Sequence, residues 1–214
     1  MSDTVDKSTM TRQESRRQDR HDAIVTVASR CFLENGYAGT TMSAVAAAVG
    51  GSKATLWNYF RSKEELFAAV IDHETTAFRA QLSSLLNPCD SLSDSLRRFC
   101  TRHLTKVTTP GAVALNRLVV AESGRFPEMG QIFYARAPRL THELLGAFLE
   151  GAMDRGTLQR CDPITAARQL IALCMSGSHH LLLVGMIEEV SESQIVKDVD
   201  NALDLFLGRY RIDG

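Results

Sequence analysis

The sequence predicts an all-α protein of about nine or ten helices, with a small N-terminal helical domain and a larger C-terminal one. Apolar residues recur at three- and four-residue steps along most of the 214 residues. Glycines and prolines fall where such helical patterns stop, and no stretch alternates with the period of two that strands require. The expected division is a disordered tail over 1–15, a first domain over 16–63 and a second over 64–214.

Composition is that of a globular protein, with 44% hydrophobic and 23% charged residues. The net charge of −1 does not by itself indicate a nucleic-acid partner. Between Arg16 and Lys63, however, the sequence has seven basic residues and only three acidic ones. A basic end on a neutral chain indicates an anionic partner.

No apolar run approaches the roughly 18 residues of a membrane helix, and the first residues lack an apolar signal region. The five cysteines are scattered and form no CxxC pair. These features predict a cytoplasmic protein with reduced thiols, no membrane partner, no metal and no cofactor.

Two short helices with a glycine turn between them are predicted after Gly36. Thr40 and Thr41 offer hydroxyls that cap the first of them, and Ser52 can cap the second. This is the helix-turn-helix plan, in which the second helix enters the major groove of DNA.

The second short helix is predicted to have an apolar inward face and a polar outward face. Leu56 and Phe60 lie four residues apart and are predicted to pack inward. The outward residues are of the types that contact bases and phosphates; they are Lys53, Ala54, Thr55, Trp57, Asn58 and Tyr59.

The stretch from Gly36-Tyr37-Ala38-Gly39-Thr40-Thr41 through Ser52-Lys53-Ala54-Thr55-Leu56-Trp57-Asn58-Tyr59-Phe60 to Ser62-Lys63-Glu64-Glu65-Leu66 resembles the N-terminal domain of TetR/AcrR-family regulators. The resemblance covers about Arg20 to Asp72. Gly51, where the family more often has a hydrophobic residue, and Ala54, where glycine is frequent, depart from the pattern. The resemblance implies sequence-specific binding to double-stranded operator DNA, usually as a repressor.

Within that resemblance, the positions that face bases are Lys53, Ala54, Thr55 and Asn58. The positions that face phosphates are Trp57, Tyr59 and Lys63, and Thr40 or Thr41 would bring the N-terminus of its helix against a phosphate. Ser52 is also expected to belong to the DNA-binding surface. Two alternatives stay open: Trp57 and Tyr59 pack inside the domain, and Lys63 is a solvated charge.

Seven further helices are predicted beyond Ser62, whose capping box with Glu65 opens the first of them. Their approximate spans are 63–86, 92–107, 112–122, 127–137, 138–155, 164–185 and 193–207. Segments 117–122, 125–130 and 133–134 resemble the C-terminal domain of AefR-like regulators. That resemblance implies a domain for a small-molecule effector and for dimerisation.

An apolar pocket with a few polar groups is the usual form of a small-molecule site. The residues predicted to line it are Phe99, His103, Leu118, Glu122, Phe126, Phe133, Tyr134 and Phe148. The alternative is that His103 and Glu122 bond each other or the backbone. A ligand that shifts the helix starting at Lys63 would change the spacing of two recognition helices.

A homodimer is predicted through the last two helices, on apolar and small side chains. The residues expected at its interface are Ile171, Met175, Ser178, Leu182, Val199, Leu203 and Phe206. The alternative is that these stripes complete the core of a single chain.

Two other function classes are alternatives to a sequence-specific transcription regulator. A helical-bundle enzyme would need clustered inward carboxylates and histidines, which the sequence lacks. A non-specific architectural DNA binder would need a more basic chain. Neither Cys100 with His103 nor the pair His179-His180 has further metal ligands at suitable spacing.

Overall fold

A computed structural model describes residues 12–212. Within that range the chain is helical throughout, with a single isolated bridge between Leu158 and Arg211 in place of strands. The eleven helices are α1 (Arg12–Gly39), α2 (Met42–Ala48), α3 (Lys53–Trp57), α4 (Lys63–Leu85), α5 (Leu92–Val107), α6 (Pro110–Glu122), α7 (Pro127–Arg136), α8 (Pro138–Asp154), α9 (Pro163–Met175), α10 (Ser178–Leu183) and α11 (Glu192–Tyr210). The all-α prediction is confirmed.

The predicted disordered tail covers residues 1–15, of which residues 1–11 lie outside the described residues. Residues 12–15 are helical and open α1, so this end of the predicted tail was placed too late. Helical conformation is interrupted within α1 at Gly36, which has a φ of 75° and a ψ of 170° and forms a kink. Glycine adopts this left-handed region without the steric cost that a Cβ brings.

The described chain forms two compact units, one ending at Val70 and the other beginning at Ile71. In the first unit, α1 to α3 and the start of α4 enclose a small core. Phe32 stacks on Tyr37 with ring centres 5.7 Å apart, and both rings meet Phe67 edge-on at 5.2 and 5.3 Å. All three aromatic side chains are fully buried, so this cluster is the centre of the unit.

In the second unit, helices α5, α8, α9 and α11 pack around the main core. Helix α7 is tied to α4 by polar contacts at Arg136. Its guanidinium bonds the Asp72 carboxylate, and its carbonyl accepts a hydrogen bond of 3.1 Å from Arg79. Among the described residues, no helix is long and apolar enough to cross a membrane.

The predicted helix over 164–185 is broken into α9 and α10 at Gly177. A Cβ at this glycine would lie 2.5 Å from the Asp198 carboxylate of α11, which no real Cβ tolerates. The same carboxylate accepts a hydrogen bond of 2.8 Å from the backbone N–H of Ser178. A distant carboxylate thus caps the new helix, and the local sequence pattern carried no signal for it.

Candidate nucleic-acid interface and effector site

Side-chain caps fix the beginnings of α2 and α3. The hydroxyl of Thr41 accepts a hydrogen bond of 3.1 Å from the backbone N–H of Ala44. The hydroxyl of Ser52 accepts one of 3.0 Å from the N–H of Thr55 and lies 2.9 Å from the Thr55 hydroxyl. Such a cap contributes about 1 kcal/mol, which matters for a helix of five residues.

The turn between α2 and α3 depends on its two glycines. Gly50 has a φ of 70°, a conformation in which a side chain is strained. At Gly51, a Cβ would lie 2.8 Å from the guanidinium nitrogen Nη2 of Arg20 on α1. The departure from the family pattern at Gly51 therefore makes room for an arginine that belongs to the same unit.

Helix α3 presents the faces that the sequence predicted. Leu56 and Phe60 are each 2% exposed and hold the helix against the rest of the unit. Trp57 is 42% exposed, which is unusual for a tryptophan and contradicts its packing inside the unit. The other outward residues are exposed at Lys53, Ala54 and Asn58 and half-buried at Thr55 and Tyr59.

Thr40 does not share this exposed face. Its side chain is buried, and its hydroxyl lies 2.9 Å from the carbonyl oxygen of Cys31 and 2.7 Å from that of Gly36. Both carbonyls belong to the kinked end of α1. The predicted DNA contact from Thr40 is therefore corrected, because its hydroxyl is used to hold α1, whereas the cap of α2 is Thr41 alone.

Lys63 is held by Tyr37. Its ammonium donates a hydrogen bond of 2.9 Å to the Tyr37 carbonyl and lies 4.2 Å from the centre of the Tyr37 ring. The side chain is half-buried, so it is not a simple solvated charge. Whether Lys63 contacts DNA remains a prediction.

The residues predicted to bind an effector fall into two groups in the second unit. Phe99, His103 and Phe148 are buried, and Phe99 and Phe148 belong to the main core. Leu118, Glu122, Phe126 and Phe133 are half-buried, and Tyr134 is 48% exposed. Glu122 ends α6. A shared pocket for all eight stays a prediction.

His103 has an aromatic surrounding and no polar partner. The Phe99 ring stacks on it with centres 6.2 Å apart, and the Phe78 ring lies 6.3 Å away. Neither ring nitrogen of His103 has a hydrogen-bond partner among the described residues. The predicted alternative, that His103 bonds Glu122 or the backbone, is therefore wrong for His103.

Two further histidines accompany it. Burial first, and then the charges of His142 and His179, lower the pKa of His103 from 6.5 to about 4. Burial also lowers the pKa of His142, with help from the charge of Arg168, and that of His179, with help from His180. All three rings are therefore neutral near pH 7.

His103, His142 and His179, which we call the histidine cluster, each have at least one buried ring nitrogen without a hydrogen-bond partner among the described residues. Nδ1 of His142 and Nε2 of His179 are buried without a hydrogen-bond partner among residues 12–212. Each such buried group costs about 1–3 kcal/mol. The sequence singles out His103 as a predicted pocket residue and shows the adjacent pair His179-His180, but nothing in it points to His142 or Phe78.

The cluster does not have the arrangement of a metal centre. In the described part of the chain, no three His, Cys, Asp or Glu side chains are placed to hold a metal ion. Cys100, three residues before His103, is a buried free thiol, and a hydrogen bond with the thiol of Cys174 on α9, together with burial, raises its pKa.

Most residues predicted for the dimer interface belong to the core of one chain. Val199, Leu203 and Phe206 are each at most 1% exposed, and Ile171, Ser178 and Leu182 are also buried. Met175 is half-buried against the same core. The three side chains on α11 are corrected to core positions, as the alternative had it, because α11 turns its apolar stripe toward α5 and α9. Ile171, Ser178 and Leu182 are corrected as well, since this chain buries them itself, whereas an interface contact of Met175 stays a prediction.

A different set of apolar residues on α10 and α11 is exposed. Leu181 is 43% exposed and Val184, just after α10, is 57% exposed. On α11, Val196 and Leu205 are 50% and 64% exposed. Sequence periodicity located the apolar stripe of α11 but could not tell which side of the helix the chain itself covers.

Comparison with known proteins gives two family matches. Residues 94–212 match the C-terminal domain of AefR-like transcriptional repressors, and residues 24–70 match the bacterial regulatory proteins of the tetR family. Together these matches cover both units of the described structure.

Individual relatives agree with these matches. The flavonoid-responsive regulator FrrA has a solved structure that is 34% identical, with a TM-score of 0.76 over 92% of this chain and all of its own. A regulator from Mesorhizobium loti shares the fold at 22% identity, with a TM-score of 0.80 over 92% of this chain and 99% of its own. The uncharacterized HTH-type transcriptional regulator YhgD of Bacillus subtilis is 22% identical over 72% of this chain and 80% of its own.

Proposed function

We propose that this chain, which belongs to the TetR family of bacterial regulatory proteins and is a transcriptional regulator, binds a two-fold operator as a homodimer and leaves it when a small molecule occupies its second unit. The observation that carries the DNA-binding role is the exposed face of α3. A five-residue helix anchored by Leu56 and Phe60 presents Lys53, Trp57 and Asn58 to solvent.

Each exposed residue of α3 suits a different part of DNA. The ammonium of Lys53 can donate to guanine O6 and N7, and the amide of Asn58 can pair with adenine. The methyl group of Ala54 suits the methyl of thymine. Trp57 and Tyr59 offer donors to phosphate oxygens, which position the protein without specifying sequence.

Release by an effector requires coupling between the two functions. Helix α4 is continuous from Lys63 to Leu85 and so carries residues of both units. Within the second unit it is bonded to α7 through Arg136, two residues after Tyr134. A ligand that moves α7 would therefore act on α4. Reciprocity requires that such a ligand bind the DNA-free form more tightly, typically by about 1–3 kcal/mol.

Relatives support the repressor and the effector parts of this proposal. The C-terminal match is to a domain of transcriptional repressors. The name of FrrA describes a regulator that responds to flavonoids.

The test uses DNA from beside the chain's own gene in gel-shift titrations. Lys53→Ala should weaken specific binding by about 1–3 kcal/mol, roughly 5- to 150-fold, with an unchanged circular dichroism spectrum. Arg160→Ala is the matched control, because it removes one exposed cation from the second unit. Unchanged affinity in Lys53→Ala would contradict the assignment of α3 as the reading helix.

A further inference from the structure

We propose that Arg20 of α1 contacts a phosphate of the DNA backbone beside the start of the reading helix α3, and that Gly51 leaves the space in which its guanidinium lies. This inference rests on the proposed binding of DNA and adds to it a contact from outside α2 and α3. It follows from the position of Arg20 at the helix-turn-helix and from the absence of an acidic partner for it among the described residues.

Arg20 lies against the turn between α2 and α3. Its nitrogen Nη2 is 2.8 Å from the position that a Cβ at Gly51 would take. Only glycine leaves that position empty, and Gly51 is two residues before Lys53, the first residue of α3. The guanidinium of Arg20 therefore lies close to the start of the helix that is predicted to reach the bases, although α1 and α3 are separated in the chain by α2.

The next residue of α1 contacts the chain on the other side of α3. The rings of His21 and Phe60 have centres 5.0 Å apart, and Phe60 is 2% exposed. Arg20 and His21 thus lie against the residues just before and just after α3. This turn of α1 therefore has a defined position relative to the reading helix, and a contact made by Arg20 is made in register with it.

The Arg20 guanidinium has no anionic partner of its own within residues 12–212, where it forms neither a hydrogen bond nor an ion pair. Asp22, two residues later, instead accepts a hydrogen bond of 2.8 Å from Gln18 and lies 3.1 Å from Nδ1 of His21. Arg20 is half-buried, so its side chain is partly held by the unit. A guanidinium that is held in place can bind phosphate oxygens through two parallel N–H groups and loses little side-chain entropy in doing so.

The charges around Arg20 favour the DNA backbone as its partner. Arg16 lies one helical turn earlier on the same face of α1 and is exposed, and Lys53 is exposed at the start of α3. Cations that lead toward the reading helix match the phosphates along the edge of the major groove that this helix enters. Base edges are reached by α3 itself, so Arg20 is expected to strengthen binding without specifying sequence.

The test measures binding by gel shift between about 50 and 200 mM salt. It uses DNA from beside the chain's own gene and a random duplex of equal length. Each phosphate contact contributes about 0.9 to the slope of log affinity against log salt, so Arg20→Ala should lower the slope of a dimer by about 2 and its affinity at 0.15 M salt by roughly 30-fold. Both duplexes should be affected alike, and Arg20→Lys, which keeps the charge, should retain most of the slope. Arg30→Ala is the matched control, because it removes an exposed cation farther along α1.

Gly51→Ala tests the space itself. Gly51 has no left-handed backbone, and the new methyl group meets only the end of a flexible side chain, so the fold should survive. The Arg20 guanidinium must then move, and affinity should fall by less than in Arg20→Ala. In the Arg20→Ala background the same methyl group should have no further effect, because the two changes remove one contact.

Three outcomes would overturn the inference. The first is an unchanged slope in Arg20→Ala, which would make Arg20 a purely structural residue. The second is a loss confined to the operator, which would make it a reader of bases. The third is an equal loss in Arg30→Ala, which would reduce the effect to general charge. Additive effects of Arg20→Ala and Gly51→Ala would contradict the role of Gly51.

Failure of the proposed function gives a different result. A chain that binds its operator no better than the random duplex loses the proposed function, yet the contact stands if Arg20→Ala still lowers the slope. A chain that discriminates the operator while Arg20→Ala keeps the full slope loses only the contact. A chain that binds neither duplex loses both.

Discussion

Gly177 and Asp198 meet where α9 gives way to α10, with the Asp198 carboxylate occupying the space that a side chain at position 177 would need. The carboxylate oxygen Oδ1 would lie 2.5 Å from a Cβ there. Its partner oxygen accepts the Ser178 N–H at 2.8 Å. The break places His179, the second residue of α10, in the interior rather than on a continuing α9.

Gly177→Ala should destabilise the chain by about 1–3 kcal/mol, because the new methyl group forces Asp198 off the helix end that it caps. Urea unfolding followed by circular dichroism measures the loss. Gly111→Ala is the matched control on α6, where nothing lies within 4 Å of a Cβ, and alanine should be neutral or slightly stabilising there. Equal stability of both variants would show that the contact between position 177 and Asp198 is not limiting.

Acid should destabilise the second unit through His103. Its pKa is about 4 in the folded chain and 6.5 when exposed, so the unfolded chain binds more protons between these values. Stability is therefore complete above pH 6.5 and falls as the pH drops toward 4. For His103 alone the loss is about 2 kcal/mol between about pH 7 and pH 5.

The measurement is the free energy of unfolding of the chain and of His103→Gln across that pH range. The variant should lose roughly this much of the pH dependence, because glutamine does not titrate. His180→Gln, at an exposed position, should keep the full slope. Identical slopes in all three proteins would mean that acid acts elsewhere.

Thr40→Val should destabilise the first unit by about 1–2 kcal/mol, because the end of α1 loses the buried hydroxyl whose one hydrogen is shared between the Cys31 and Gly36 carbonyls. Operator affinity of the folded fraction should stay near that of the unaltered chain. Thr26→Val is the matched control, since its hydroxyl bonds the Asp22 carbonyl on an exposed face of α1. A large fall in operator affinity with unchanged stability would restore Thr40 as a DNA contact.

Helix positions and the faces of α3 could be predicted from sequence because they depend on local periodicity and capping. Leu56 and Phe60 lie inward, and Asp162 caps α9 by accepting the Thr165 N–H at 2.7 Å, as its place before Pro163 indicates. Such signals lie within a few residues of the feature that they predict.

Features that depend on distant partners could not be predicted in this way. Asp198 breaks a helix 21 residues earlier, Lys63 bonds a carbonyl 26 residues away, and His142 joins His103 from another helix. The apolar stripe at Val199 and Leu203 shows the same limit. The periodicity of the sequence predicts this stripe. Its burial within the same chain follows from the packing of α11 on α5 and α9, which local sequence does not indicate.

The exposed apolar residues of α11 are therefore where a second copy is expected to bind. Val196 and Leu205 lie nine residues apart, which is two and a half helical turns, so they flank the buried stripe of α11 on opposite sides. Val196→Glu with Leu205→Glu places a carboxylate on each of these two sides, so a second copy that covers either side would bury a charge, and the chain should shift to monomers. The core at Val199 is unaffected, whereas Ser178→Arg would disturb the fold, since Ser178 is buried.

Sedimentation equilibrium at micromolar concentrations measures this shift, and gel shifts measure its consequence. A monomer presents only one recognition helix. A two-fold operator is bound by two recognition helices, which lie in major grooves separated by about 34 Å or by a multiple of that distance. The double variant should therefore lose operator affinity by at least tenfold with an unchanged helical spectrum. Val120→Glu is the control, because Val120 is 69% exposed on α6. An unaltered chain that sediments as a monomer contradicts the dimer itself, and a double variant that stays dimeric moves the interface away from α11.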